Sequence, residues 1–198
     1  MYLSFKNIIF LLVISASILI AQSGTVKTLT DKAIEEYQNG DYSAAISDME
    51  QALDIMKQKQ GNELNSLLPQ TLPGWTRGES SSQPMDPRGI MGGHVVEQTY
   101  NKGNGFVTAT LILEAPMVND VRSTLNTPQS SQNINDGIIE SISNKKAFVR
   151  YHDNEKQGEI SMLASSTTVA VVYGKNVTLR ELKNYAKLFN FSEISKIK

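Results

Sequence analysis

The chain has 198 residues, 40% of them apolar, and a formal net charge of -1. This length allows one domain with a small appendage, and the apolar fraction is typical of a protein with a packed core. The near-neutral charge argues against nucleic acid or an anionic lipid surface as the main partner, because both require a dense field of Lys and Arg. Cysteine is absent, which excludes disulfides, thiol chemistry and a lipid-modified cysteine.

The first 23 residues have the three-part layout of a secretory signal peptide. Lys6 precedes an apolar and small-residue run, Ile8–Ile20, and Ala21 and Ser23 supply the small side chains that a signal peptidase requires. This run is short for a bilayer, which takes about 20 helical residues to cross. We expect cleavage after Ser23 and a periplasmic or secreted chain with no integral membrane span; the alternative is an uncleaved segment that anchors the chain.

Two amphipathic helices are predicted over residues 24–60. Apolar residues recur at three- and four-residue steps on both sides of a break at 39–41, and helices joined by so short a turn are antiparallel neighbours. Tyr37, Tyr42, Met49 and Met56 are expected to be central to the fold of the hairpin, and all the apolar residues of the two runs to form one face on each helix. The apolar residues are Leu29, Ala33, Ile34 and Tyr37 before the break, and Tyr42, Ala45, Ile46, Met49, Ala52, Leu53 and Met56 after it.

Acidic residues lie between those apolar faces, and we expect them to form a solvated surface. Four of them are the hairpin residues predicted to contact a partner if the hairpin docks another protein. These four are Glu35, Glu36, Asp48 and Glu50.

The stretch GDYSAAISDMEQALDIM, Gly40 to Met56, resembles one tetratricopeptide repeat. In that resemblance Ala33, Ala45 and Ala52 lie where the paired helices approach most closely. No second copy follows at a spacing of about 34 residues, and a lone repeat cannot bury its own apolar face. The hairpin is therefore expected to pack on the rest of the chain, on a second copy of itself, or on a partner.

Residues 61–73 are predicted to be a connector whose prolines stop the helix, and residues 74–198 an α+β sandwich domain. The strands are joined by short connections, so the sheet should be mainly antiparallel, packed by a C-terminal helix. A capping box of Thr178 and Glu181 begins that helix. The predicted strands are one near Gly74, a hairpin of Gly93–Tyr100 and Phe106–Ala115, and Lys146–Asp153, Gly158–Ser165 and Thr168–Gly174; a short helix is predicted in PMVNDVRSTLN.

The order LLPQTLPGW, a Ser-rich stretch, IMGGHVVEQTY, strands and the closing LRELKNYAKLFNF helix resembles a group of uncharacterised bacterial envelope proteins. The same order resembles the PsbP/Mog1-like α/β sandwich over residues 74–198. The resemblance implies a binding or assembly subunit rather than an enzyme.

The segment ESSSQPMDPRGIMGG is predicted to be a loop, with its serines at the surface rather than positioned as nucleophiles. A loop of this length is usually functional or disordered. If it contacts a partner, Met85, Ile90 and Met91 supply adaptable apolar contacts.

No catalytic, cofactor or metal residue is predicted. His94 and Glu97 are three residues apart on a predicted strand and so face opposite sides of it, and His152 lies beside Asp153 at the end of another predicted strand. No nucleophile motif is present. Four aromatic residues are predicted either to be core or to line a pocket between sheet and helix. They are Trp75, Tyr100, Tyr151 and Tyr173.

The sequence thus predicts a non-enzymatic exported protein that acts in binding or accessory assembly in the bacterial envelope. The alternative is a small-molecule or lipid carrier that uses a pocket between sheet and helix.

Overall fold

The computed structural model describes residues 24–84, 93–127 and 137–197. The chain divides into two compact units, Met1–Lys59 and Gln60–Lys198. The boundary falls inside the helix Tyr42–Ser66.

The first unit contains the antiparallel helical hairpin that the sequence predicts. Helix α1 covers residues 24–38. Helix α2 covers Tyr42–Ser66 and begins in this unit. Gly40 has a φ of 84°, a left-handed conformation that glycine adopts without strain at the end of a helix. The Asp41 side chain then accepts a hydrogen bond from the backbone N–H of Ala44 at 3.1 Å, which caps the start of α2.

Helix α2 continues through residues 61–66, which corrects the prediction that these residues belong to a connector. A glycine inside a helix costs only about 1 kcal/mol relative to alanine, so Gly61 does not end it. The helix ends at Ser66, before Pro69. Leu64 and Leu68 are 0% and 4% exposed and belong to the core of the second unit, and their burial stabilises this extension.

The second unit is built on a seven-stranded sheet in which every neighbouring pair is antiparallel, and the order is β1-β2-β3-β7-β6-β5-β4. This confirms the predicted α+β class. The strands are β1 (Thr76–Pro84), β2 (His94–Lys102), β3 (Gly105–Leu113), β4 (Ile138–Ile142), β5 (Lys145–His152), β6 (Gln157–Leu163) and β7 (Thr168–Lys175), and the helices are α3 (Met117–Asn126), α4 (Leu179–Ala186) and α5 (Phe191–Ile194).

Two strands differ from the prediction. Ser80–Ser82 lie inside edge strand β1 rather than in a loop, because this strand pairs with β2 as far as Pro84. Strand β4 is not predicted at all. Its signal is a short apolar run followed by Ser143 and Asn144, which have φ of 50° and 61° in the two-residue turn to β5.

One face of the sheet carries the main core. Alternate residues of β3 are fully buried there, as predicted from their period of two. Helix α4 contacts β3, β6 and β7 and buries Leu182, Tyr185 and Ala186. The buried residues of β3 on this face are Val107, Ala109, Leu111 and Leu113.

Helix α3 contacts β5, β6 and β7 from the opposite face. The ammonium of Lys146 donates a hydrogen bond to the backbone carbonyl of Leu125 at 3.2 Å, whereas the next strand residue, Ala147, belongs to the main core. Successive strand residues point to opposite faces, so α3 and α4 cover different sides of the sheet. The unit therefore has helices on both faces.

The predicted capping box of α4 is confirmed. The Glu181 backbone N–H donates to the Thr178 hydroxyl, and the Glu181 carboxylate accepts from the Thr178 backbone N–H at 2.8 Å. Burial by itself raises the pKa of Glu181, but hydrogen bonds from Lys102 and Thr178 outweigh it and lower the pKa to about 2. Glu181 therefore stays ionised in the folded chain, where it ties α4 to β2 through Lys102 at 2.8 Å.

Candidate functional site: a groove on the helical hairpin

The helical hairpin of the first unit carries an open apolar groove of about 740 Å³. All of its lining side chains come from α1 and from the first three turns of α2. The lining residues are Ala33, Ile34, Tyr37, Gln38, Tyr42, Ala45, Ile46, Met49, Glu50 and Leu53.

Small residues hold the hairpin together, and large apolar residues face solvent. Ala33, Ala45 and Ala52 are buried at 1%, 7% and 1% exposure, which fits the predicted close approach of the two helices. The large side chains are not buried, contrary to the prediction that Tyr37, Tyr42, Met49 and Met56 are central to the fold of the hairpin. Exposed large apolar side chains of the hairpin are Ile34, Tyr37, Tyr42, Ile46, Met49, Leu53 and Met56.

The physical reason for this difference is that a pair of helices has only one shared interface. The alanines occupy that interface. The apolar stripe of each helix is wider than the interface, so the large apolar side chains at its margin stay in contact with solvent. Tyr37 and Tyr42 form a tilted aromatic pair with ring centroids 5.5 Å apart, close to the turn. The hydrophobic period therefore identified the residues of this surface, but the prediction that its tyrosines and methionines are central to the fold is wrong.

The four acidic residues predicted for partner contact do not form one solvated surface. Asp48 is 6% exposed, and its carboxylate pairs with the Lys32 ammonium at 2.7 Å. Glu36 is half-buried and pairs with the same ammonium at 3.1 Å. Hydrogen bonds from Lys32 to Asp48 and then to Glu36 raise the pKa of Lys32. The prediction that Asp48 is solvated is therefore wrong. Asp48 does not belong to the apolar stripe of α2, but Lys32 of α1 covers it.

Glu35 and Glu50 are exposed, as predicted. Glu50 is the charged member of the groove lining, and no ion pair involves it within the described hairpin. The other residues predicted for partner contact, Met85, Ile90 and Met91, lie outside the described residues, as do Ala21 and Ser23.

The two histidines are not brought together. His94 begins β2 and His152 ends β5, and β3, β7 and β6 lie between these strands. Four strand spacings separate them, or about 19 Å. Within residues 24–84, 93–127 and 137–197, no group of three or more His, Cys, Asp or Glu side chains is arranged to hold a metal ion.

Residue His94 has instead a close polar neighbour that the sequence did not suggest. The Ser82 hydroxyl lies 2.9 Å from His94 Nε2, and the ring is 4% exposed beneath α2. His94 Nδ1 is buried and has no hydrogen-bond partner among the described residues. With no third group to orient the ring, the pair lacks the arrangement that activates a serine nucleophile. Burial lowers the pKa of His94 below its ordinary value.

We expect the free energy of unfolding to fall as the pH falls from 7.5 to 5. The pKa of His94 is lowered in the folded chain. As the pH drops through 6.5, this histidine is therefore protonated in the unfolded chain before it is protonated in the folded chain. The loss is at most about 1.4 kcal/mol per pH unit for one such group. Urea titrations followed by the fluorescence of Trp75 measure it. His94→Gln should flatten the dependence, and an equal slope in the two chains would contradict the assignment.

The four aromatic residues do not line one pocket. Tyr100 and Tyr185 stack with centroids 4.5 Å apart, and Trp75 meets Tyr185 edge-on at 5.2 Å. The Tyr100 hydroxyl donates to the backbone carbonyl of Pro69, and burial raises the pKa of Tyr100 to about 12. These side chains fill the space between the sheet and α4.

The other two aromatic residues lie apart from this cluster. Tyr151 is only partly buried against the main core, and Tyr173 packs beside Phe106 on the other face of the sheet, with ring centroids 5.9 Å apart. Trp75, Tyr100 and Tyr185 thus fill the space between the sheet and α4, and Tyr151 and Tyr173 do not join them in one pocket.

Comparison of the chain with protein-family models, with curated proteins and with solved structures finds no match. The resemblances to a tetratricopeptide repeat and to the PsbP/Mog1-like sandwich therefore stay predictions. No helix in the described part of the chain is both long enough and apolar enough to cross a membrane.

Proposed function

We propose that this chain is a non-enzymatic, exported binding protein whose hairpin groove takes an apolar segment of another protein, as an accessory to assembly in the bacterial envelope. The observation that carries the proposal is the cluster of large apolar side chains that line the groove while remaining exposed. Ile46 and Tyr37, for example, are 60% and 65% exposed. Contiguous exposed apolar surface of this kind marks interaction sites in soluble proteins.

The composition of the groove supports a protein partner. Its walls combine tyrosine, isoleucine, leucine and methionine, and methionine adapts its shape to different partner surfaces. A small-molecule site usually buries most of its ligand. Here the wall residues themselves are about half exposed, so a small ligand would stay largely in solvent, whereas a protein segment covers the whole length. The predicted signal peptide supports the envelope as the compartment.

The test compares two neighbouring substitutions on α2 that introduce the same charge. Ile46 lines the groove, whereas Ser47 is exposed on the next position and is not part of the lining. Partners captured from an envelope extract are identified by mass spectrometry, purified and titrated against each chain. We expect Ile46→Glu to weaken binding at least about tenfold, a loss of about 1.4 kcal/mol, because it places a charge against the partner's apolar surface.

Ser47→Glu should leave the affinity of the same partner within about twofold, since exposed substitutions outside an interface have small effects. Circular dichroism checks that both chains keep their helices. Equal binding by the two folded variants, or the absence of any partner for the unsubstituted chain, would refute a groove that binds protein.

A further inference from the structure

We infer that the occupant of the groove is an amphipathic α-helix of a partner protein that carries a basic residue beside its apolar face. This inference rests on the proposed function, since it specifies the partner of the same site. Three properties of the groove support it: its length, the state of the backbone that lines it, and its charge.

The length of the groove suits about three helical turns. Its lining on α2 runs from Tyr42 to Leu53, which spans about 16 Å at a rise of 1.5 Å per residue. A partner helix lying along this length presents apolar anchors at positions i, i+3 or i+4, and i+7.

The backbone of the groove favours a helix over an extended segment. Both walls are α-helices, whose N–H and C=O groups are already hydrogen-bonded within each helix. An extended peptide laid against these walls would find no backbone partners, and its own inward polar groups would be buried without hydrogen bonds, which weakens binding. A helix satisfies its own backbone before it binds.

The charge of the groove favours a basic flank on that helix. Glu50 lines the groove, Asp54 follows one turn later on α2, and both are exposed without an ion pair among the described residues. Two lysines of α1 are already paired, Lys27 with Asp31, and Lys32 with Asp48 and Glu36. Glu50 is the charged residue of the lining, so the charge in the groove itself is negative.

The same charge argues against a second copy of the hairpin as the occupant. Residues 24–59 contain seven acidic residues and four lysines, so two hairpins repel each other. A partner helix with Lys or Arg near Glu50 gains an ion pair instead. The inference is thus specific to a basic, helical partner segment.

The experiment measures binding of three labelled peptides of 15 residues to the full chain by fluorescence anisotropy. The first is a lactam-stapled amphipathic helix with a leucine face and flanking lysines. The second has glutamates in place of the lysines, and the third keeps the composition of the first but has two central prolines and no staple. We expect the proline peptide to bind at least about tenfold more weakly than the first, because it cannot satisfy its backbone.

The charge arm uses Glu50→Lys with Glu63→Lys as its matched control, because Glu63 is exposed on α2 but is not part of the lining. The unsubstituted chain should prefer the lysine peptide by about threefold, as expected for one exposed ion pair. Glu50→Lys should reverse that preference, and Glu63→Lys should keep it.

Equal binding of the proline peptide would overturn the helical occupant, and an unchanged preference in Glu50→Lys would overturn the basic flank. A dimeric mass by light scattering that Ile46→Glu converts to a monomer would make a second copy the occupant. If none of the peptides binds while Ile46→Glu still loses its natural partner, this inference is wrong and the proposed function stands. If that partner is retained by Ile46→Glu, the proposed function itself fails.

Discussion

The substitution Leu64→Ala is expected to lower the free energy of unfolding of the second unit by about 3 kcal/mol. Leu64 lies on the last turns of α2, is 0% exposed, and belongs to the same core cluster as Trp75 and Tyr100. Truncation removes its buried methyl groups and leaves a cavity between the helix and the sheet. The cost is therefore that of a core leucine, although the residue lies in a segment whose sequence resembles a connector.

Trp75 makes this measurement direct, because it is the only tryptophan and lies in the core of the same unit. Urea unfolding followed by its fluorescence reports the stability of the sheet rather than of the hairpin. The matched control is Leu188→Ala, since Leu188 is 38% exposed in the same unit and should change stability by no more than about 0.5 kcal/mol. A loss below about 1 kcal/mol for Leu64→Ala would show that the end of α2 is not part of the core.

The second expected result is that Gly61→Ala destabilises the chain by up to about 2 kcal/mol, although alanine is the better helix former. In an open helix this change would stabilise by about 1 kcal/mol. At position 61 the new methyl group would lie 2.8 Å from the Ser82 hydroxyl oxygen and closer still to His94 Nε2. His94 is buried and held by Ser82, so the ring cannot move aside freely, and overpacking of this kind costs about 1–3 kcal/mol.

A double substitution tests whether the histidine ring is the cause. Gly61→Ala combined with His94→Ala should be more stable than the sum of the single effects predicts, because removal of the ring makes room for the methyl group. Asn62→Ala, at the next and exposed position of the helix, should stay within about 0.5 kcal/mol of the unsubstituted chain. Additive single effects, or a Gly61→Ala chain more stable than the original, would show that the helix does not press on His94.

The elements that the sequence predicted well are those whose signals are local. The antiparallel hairpin follows from two helical periods joined at Gly40, and α4 follows from the capping box of Thr178 and Glu181. The alternation along β3 identifies its buried face without any knowledge of the neighbouring strands. In each case the hydrogen-bond partners or the period lie within about a dozen residues of one another.

The misplaced segments are those in which distant residues outweigh a local signal. The prolines of residues 61–73 indicated a connector, yet burial of Leu64 against the sheet extends α2 to Ser66. The serines before Pro84 indicated a loop, yet pairing with β2 makes them an edge strand. Composition favoured a connector and a loop in these segments, whereas contacts with residues distant in sequence stabilise a helix and a strand.

The sequence by itself determined the two-part organisation, the α+β class and the identity of the apolar residues on the hairpin. Only the tertiary structure decided which of those residues are buried, that Asp48 is covered by Lys32, and that Ser82 meets His94. The physical reason is that a period of 3.6 identifies a face of a helix but not the object that packs against it. In this hairpin the alanines meet the neighbouring helix, and the tyrosines, Ile46 and Met49 are left facing solvent, where we propose that a partner helix binds.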